Sequence, residues 1–193
     1  MLEIELKARI FDREALFSKL KTLGTFLGEI QKDDVYYGRE NPYLRARIRT
    51  QTKILEDSSG KKTKKVERFF TYKKKETRDK IEVNDEKECL VSDDEPLRAF
   101  FEDVGLSVVL KKQKNVSSFL VDDITAELCF VPPLGDFLEL EILSKTDDEK
   151  SVNAARARLL KLLKKLEIPE SDIENRYYSE LLKELEKSRS EHV

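Results

Sequence analysis

Ionic side chains recur at every second residue in stretch after stretch of this chain, and that pattern limits the folds open to it more than any other feature. Met1-Leu-Glu-Ile-Glu-Leu-Lys7 alternates apolar and ionic residues, so as a strand it places Glu3, Glu5 and Lys7 on one face. Arg45, Arg47 and Arg49 keep the same period, as do Lys73 with Lys75, Lys112 with Lys114, Glu86 with Glu88, Glu127 with Cys129, and Glu139 with Glu141. One alternating strand is the ordinary solvent face of an amphipathic sheet. Solubility does not explain the set, because some strands are cationic and others doubly acidic. A closed sheet with these faces turned inward would enclose a water-filled, highly charged channel.

Periodicity and turn residues divide the chain into elements. Strands are expected at Leu2 to Ile10, Phe26 to Gly38, Tyr43 to Leu55, Val66 to Lys75, Lys80 to Val91, Leu106 to Lys114, Val116 to Phe130 and Asp136 to Leu143. Asp12 caps a short helix that stops at Gly24, and Ser92, Asp93 or Asp94 starts a second that ends at Gly105. Glu56 to Lys65, with Asp57-Ser58-Ser59-Gly60 at its tip, reads as a mobile hairpin loop, and its lysine run as a solvated one. Val131-Pro132-Pro133-Leu134-Gly135 reads as a turn. Two apolar stripes at helical spacing close the chain: Val152, Ala155, Leu159, Leu162, Leu163 and Leu166, then Ile173, Tyr177, Tyr178, Leu181, Leu182 and Leu185. Strands and helices do not alternate steadily, which argues for an antiparallel α+β architecture. One domain is expected over residues 1–183, followed by a polar tail at 184–193.

Composition removes several chemistries. His192 is the single histidine and lies in the polar tail, so catalytic triads and histidine-bound zinc are excluded as designs for this chain. The glycines are scattered with neither the Walker nor the dinucleotide spacing, so phosphate would have to be held by side chains. Lys+Arg 37 against Asp+Glu 39 gives no bulk charge that would call for nucleic acid. No apolar run approaches the roughly 20 residues of a membrane helix. Cys89 and Cys129 lack paired metal spacing, and the opening residues read as a charged strand, so a reducing, cytoplasmic setting is expected. What remains is chemistry by carboxylates, lysines and arginines. Carboxylates two residues apart on a strand offer hard oxygen ligands to Mg²⁺ or Mn²⁺, and neighbouring cations balance phosphate charge. A triphosphate with its bound metal requires both.

Several segments, taken in order, resemble the CYTH family, also called triphosphate tunnel metalloenzymes, which includes class IV adenylyl cyclases, thiamine triphosphatases and tripolyphosphatases. The likeness runs from Leu2 to about Leu182. Its Glu-x-Glu-x-Lys hallmark stands as Glu3, Glu5 and Lys7, and further matches are Asp34-Val-Tyr36-Tyr37, Leu44-Arg45-Ala-Arg47, Thr71-Tyr72-Lys73, Lys112-Gln-Lys114, Leu134-Gly135-Asp-Phe137-Leu-Glu139-Leu-Glu141 and Tyr178-Ser-Glu180-Leu181-Leu182.

The resemblance implies an eight-stranded antiparallel β-tunnel with helices outside and a triphosphate within. It implies metal ligands at Glu3, Glu5, Glu139 and Glu141, and a phosphate grip from Lys7, Arg45, Arg47, Lys73, Lys112 and Lys114, with Glu3, Glu5 and Lys7 at the catalytic face. Arg9, Arg49 and Lys75 continue these parities toward the rim, and the Tyr178 region would help close the tunnel. The chain departs from the pattern at Cys129, where an acidic residue is usual, and Glu127 on the same face is the candidate replacement ligand. It departs again at Asn84, where the family has arginine, and at Lys114, often arginine.

The expected activity is that of a class IV adenylyl cyclase, converting ATP to cyclic AMP and pyrophosphate with Mg²⁺ or Mn²⁺. The alternatives are hydrolysis of thiamine triphosphate, tripolyphosphate or a nucleoside triphosphate, and non-catalytic polyphosphate binding. The partner is a small-molecule triphosphate, with neither nucleic acid nor membrane; a homodimer is compatible with the sequence.

Overall fold

In a computed structural model the chain is described at residues 2–39, 44–56, 60–78, 81–146 and 148–190, without the side chains of residues 44, 45, 56, 73–78 and 190. The elements run β1 (Leu2–Ile10), α1 (Arg13–Leu23), β2 (Thr25–Gly38), β3 (Leu44–Glu56), β4 (Lys62–Arg78), β5 (Ile81–Val91), α2 (Glu95–Asp103), β6 (Ser107–Val121), β7 (Ile124–Val131), β8 (Gly135–Ser144), α3 (Glu149–Lys165) and α4 (Tyr178–Ser190). The strands close in the order β1-β5-β4-β3-β2-β6-β7-β8, every neighbour antiparallel, so the expected α+β tunnel is the observed fold.

The period-two pattern dictates how this barrel is stabilised. Ile4, Leu6 and Ala8 of β1, Leu138, Leu140 and Ile142 of β8, and Ala126 and Leu128 of β7 point outward and are buried under helices rather than in the lumen. They pack with Leu16 and Leu20 of α1 and with Val152, Ala155, Leu159, Leu162 and Leu163 of α3. Each buried leucine, isoleucine or valine among them contributes roughly 1.5–3 kcal/mol by leaving water. The apolar core therefore lies outside the barrel wall, and the other parity is left to line the inside. Phe119 anchors the α1 side, edge-on to Phe17 at 5.3 Å and tilted against Phe26 at 5.1 Å. A smaller cluster of Tyr37, Ile48 and Phe101 seats α2 against β2 and β3.

Local chemistry sets the boundaries. The Asp12 carboxylate accepts from the Ala15 amide at the start of α1, and Asp148 accepts from Ser151 at the start of α3. Gly24 ends α1 because of close approach: a Cβ there would stand 2.4 Å from the Leu120 carbonyl oxygen.

The structure differs from the sequence reading in four places, the first being that no break falls between Lys114 and Val116: β6 runs continuously through Asn115. Lys62–Lys65 pair in register with Lys53–Glu56, so this lysine run belongs to β4 and only the tip at 57–59 lies outside the described residues. The expected long strand from Val116 to Phe130 is broken at Asp122, whose φ of 55° makes a two-residue turn between β6 and β7. Aspartate tolerates that left-handed conformation, so no glycine marked the turn. Ile173 is not helical; it forms a bridge with Ala8, and the Glu174 amide donates to the Lys7 carbonyl at 2.8 Å, tying the segment before α4 to β1.

Candidate active site

The inward parity brings the sequence-derived residues together. Glu3, Glu5 and Lys7 of β1, Arg47 and Arg49 of β3, Lys112 and Lys114 of β6, Glu127 of β7, and Glu139 and Glu141 of β8 all line one cavity of about 120 Å³. One water needs about 10–15 Å³ of such space, so the cavity has room for several waters or a small polar ligand. Arg45 and Lys73 face each other in the β3–β4 register, but their side chains, like that of Lys75, lie outside the described residues.

The carboxylates stack by strand register. Glu5 is paired with Glu82 on one side and with Glu141 on the other, and Glu139 lies between Lys7 and Glu127. Neighbouring side chains on one face stand about 4.5–5.5 Å apart at Cβ. Such a row of carboxylates is stable only with cations among it. Lys114 Nζ donates to Glu139 at 2.6 Å, and Arg47 reaches Glu86 at 3.0 Å and the Thr71 hydroxyl at 2.9 Å. Lys7 Nζ donates to the Arg176 carbonyl at 2.7 Å and lies 3.9 Å from Glu82.

Asp34 organises the cationic wall. Its oxygens accept from Arg49 at 2.7 and 3.1 Å, and Lys112 Nζ stands 3.3 Å away. Burial alone would raise the Asp34 carboxyl, but the Arg49 and Lys112 charges outweigh it and hold it well below the usual carboxylate range. Burial likewise opposes ionisation of Glu139 and is overcome by Lys114 and Lys112. Asp34 and Glu139 are thus held ionised, and their charges act with little water to screen them.

Tyr178, at the start of α4, lines the cavity. The ammonium groups of Lys7, Lys112 and Lys114 lie 4.7, 4.8 and 5.8 Å from its ring centre, within cation–π range, and the ring meets Phe137 edge-on at 5.0 Å. Arg9 is turned to Glu174, at 3.1 Å, and onto the Phe137 ring rather than toward the cavity. Arg49, expected toward the rim, lines the cavity.

Cys129 is fully buried in a cluster with Val116, Phe137 and Tyr178. Burial first, then Glu139, pushes its thiol well above the ordinary value, which leaves it neutral. Although Glu127 is one layer removed along β7, ligand atoms of Glu127, Cys129 and Glu139 lie within 4.8 Å of one another, because the side chains converge across the register. Asn84 is wholly buried and its Oδ1 has no partner, so the amide does not replace the ionic reach of an arginine.

Lys32, Glu82 and Tyr177 also line the cavity and were not singled out from the sequence. The signal was available: Lys32, Asp34 and Tyr36 repeat at period two, and Glu82 shares parity with Glu86.

An antiparallel tunnel closed around ionised lysines, arginines and carboxylates defines a class of protein that takes a polyanion together with a cation. The chain belongs to the CYTH domain family, whose model matches residues 1–178. CYTH proteins are enzymes of adenylate cyclase and triphosphatase type. The chain is 29% identical over 184 residues, 94% of its length and 98% of the other's, to a Methanocaldococcus jannaschii protein named "Putative adenylate cyclase". A Pyrococcus horikoshii structure matches with a TM-score of 0.79 at 26% identity, covering 94% of this chain and 98% of that one. A Vibrio parahaemolyticus structure, described as a "putative adenylate cyclase", shares the fold with a TM-score of 0.74 at 22% identity, covering 95% and 98%. Among the described residues no helix is long and apolar enough to cross a membrane.

Proposed function

We propose that this chain is a divalent-metal-dependent enzyme that acts on a triphosphate held in the tunnel, and that the reaction is cyclisation of ATP to cyclic AMP and pyrophosphate. The observation that carries the reading is the convergence of Lys7, Arg47, Arg49, Lys112 and Lys114 on a cavity that also holds Glu3, Glu5, Glu139 and Glu141. The family resemblance adds Arg45 of β3 and Lys73 of β4, which are register partners, to the proposed grip. The name of the Methanocaldococcus jannaschii relative supports the cyclase assignment.

The donor set fits Mg²⁺ or Mn²⁺. Glu3, Glu5 and Glu141, with Glu139 beside them, present carboxylate oxygens from two paired strands, the hard ligands such ions take. A bound ion would neutralise phosphate oxygens and ease the charge that develops on transfer. The chain's own groups do the positioning. Lys112 and Lys114, fixed by Asp34 and Glu139, offer N–H donors to the phosphates, and Arg47 and Arg49 offer planar forks. Lys7 is anchored on the Arg176 carbonyl and stands 3.9 Å from Glu82, which directs its ammonium along the carboxylate row. Held in this way, the 3′-oxygen of ATP attacks the α-phosphorus, the hydroxyl proton departs to a base, and pyrophosphate leaves along the cationic wall.

Hydrolysis is the second reading. Among the described residues Tyr36, Tyr177 and Tyr178 are the non-ionic members of the cavity wall, which favours recognition of phosphate over a nucleoside. Product identification separates the two: ATP, thiamine triphosphate and tripolyphosphate are each incubated with protein and Mg²⁺ or Mn²⁺, with and without excess chelator. Cyclic AMP with pyrophosphate supports cyclisation, and orthophosphate release supports hydrolysis. Glu3→Gln, Glu5→Gln, Glu139→Gln and Glu141→Gln should each remove most of the activity, and full turnover in excess chelator would overturn the metal-dependent reading.

A further inference from the structure

One corner of the tunnel is already supplied with cations by the chain itself. Lys32 reaches from β2 over the intervening β6 to β7 and places its ammonium 2.6 and 2.7 Å from the two oxygens of Glu127. Beside it Lys114 closes on Glu139 at 2.6 Å and stands 3.9 Å from Glu127. Both lysines are buried, at 7% and 4% exposure. The Cys129 sulfur belongs to the same corner, within 4.8 Å of the carboxylate oxygens. This is a compact donor group of the size a divalent ion uses, but two carboxylates here already balance two ammonium groups. An ion entering it would have to dislodge an ammonium and leave it buried beside a like charge, which is strongly unfavourable.

Two-metal phosphoryl enzymes set a second ion about 3.5–4 Å from the first, on the other side of the reacting phosphate. We propose that the Lys32 ammonium, clamped on Glu127, takes the place of a second metal ion in this tunnel, so that the chain binds its triphosphate with one divalent ion. The inference rests on the triphosphate reading above and adds to it a metal count and a role for a lysine outside the family motifs. On this proposal Glu127, read from the sequence as a metal ligand, seats that lysine.

The test is a count of Mn²⁺ retained per chain, measured as metal content after the protein–tripolyphosphate complex has been separated from free ligand and free ion by gel filtration. Wild-type protein should take up one ion per chain, Lys32→Met two, and Lys32→Met/Glu127→Gln one again. With Cd²⁺ in place of Mn²⁺, Lys32→Met should show an ultraviolet cadmium–thiolate band from Cys129, its thiol proton released to solvent, and wild type should not. Two Mn²⁺ in the wild type, a result that needs no variant to fold, would remove the role given to Lys32 while leaving the triphosphate reading in place. So would a folded Lys32→Met that still holds one. Wild-type protein that binds tripolyphosphate without taking up any Mn²⁺ would count against the metal-dependent reading itself.

Discussion

Replacing Asp34 by asparagine should unfold this protein more readily than any comparable exchange on its surface. The Asp34 side chain has no exposure, Arg49 is 13% exposed beside it, and Lys112 is 6% exposed. Asparagine keeps the shape and can still accept one hydrogen bond from the guanidinium, but it leaves Arg49 and Lys112 without their shared anion. Removing one partner of a buried ion pair costs about 3–5 kcal/mol, and the retained hydrogen bond places the expected loss near the lower figure, about 3 kcal/mol. At about 2–4 °C per kcal/mol for a chain of this length, the unfolding midpoint should fall by roughly 6–12 °C. Circular dichroism melts with and without tripolyphosphate would measure it. Because the freed cations can take phosphate oxygens instead, tripolyphosphate should recover more of the loss in Asp34→Asn than it adds to wild type. The pH dependence has a definite sign: the Asp34 carboxyl lies lower in the folded than in the unfolded chain, so its stabilisation is complete above the unfolded value and is lost as pH falls through the folded one. The gap between the two proteins should therefore narrow in acid, below about pH 4. A loss under about 1 kcal/mol at neutral pH, the scale of an exposed pair, would refute the reasoning.

Lys114→Met and Arg47→Met should each weaken tripolyphosphate binding by roughly 10- to 150-fold, the value of one charge-assisted contact of about 1.5–3 kcal/mol; calorimetry should find monophosphate binding much less affected. Glu174 is held to about 2, chiefly by hydrogen bonds from Arg176, with burial opposing and Arg9 assisting. Its stabilisation is present above the ordinary 4.5 and disappears as pH falls toward 2, so Glu174→Gln should lower the melting midpoint at pH 7 and flatten its decline between pH 4.5 and 2. Phe119→Ala, at a wholly buried ring, should cost about 3–5 kcal/mol in urea unfolding, and a cost near zero would show that α1 does not depend on this contact.

The sequence by itself determined which residues form strands and which side of each strand meets water or helix. Period-two alternation is a local property, and in β1 it assigns Ile4, Leu6 and Ala8 to one face and Glu3, Glu5 and Lys7 to the other without reference to any other part of the chain. Local signals were weaker where the β6–β7 turn used Asp122 without glycine, and where the lysines of β4 resembled a loop because charge does not distinguish an exposed ribbon from a coil. Even the missed Lys32 and Glu82 carried the right parity. What no local pattern contains is the partner of each charge. Lys32 meets Glu127 over a separation of 95 residues and Lys7 meets the Arg176 carbonyl over 169, contacts created when the barrel closes and its register is set. Closure also decided that Cys129 sits in a packed corner and that Tyr178 stands among three ammonium groups. Charge spacing along a strand is written into the chain, but the energy of a buried charge depends on what faces it across the lumen, and only the tertiary structure supplies that neighbour.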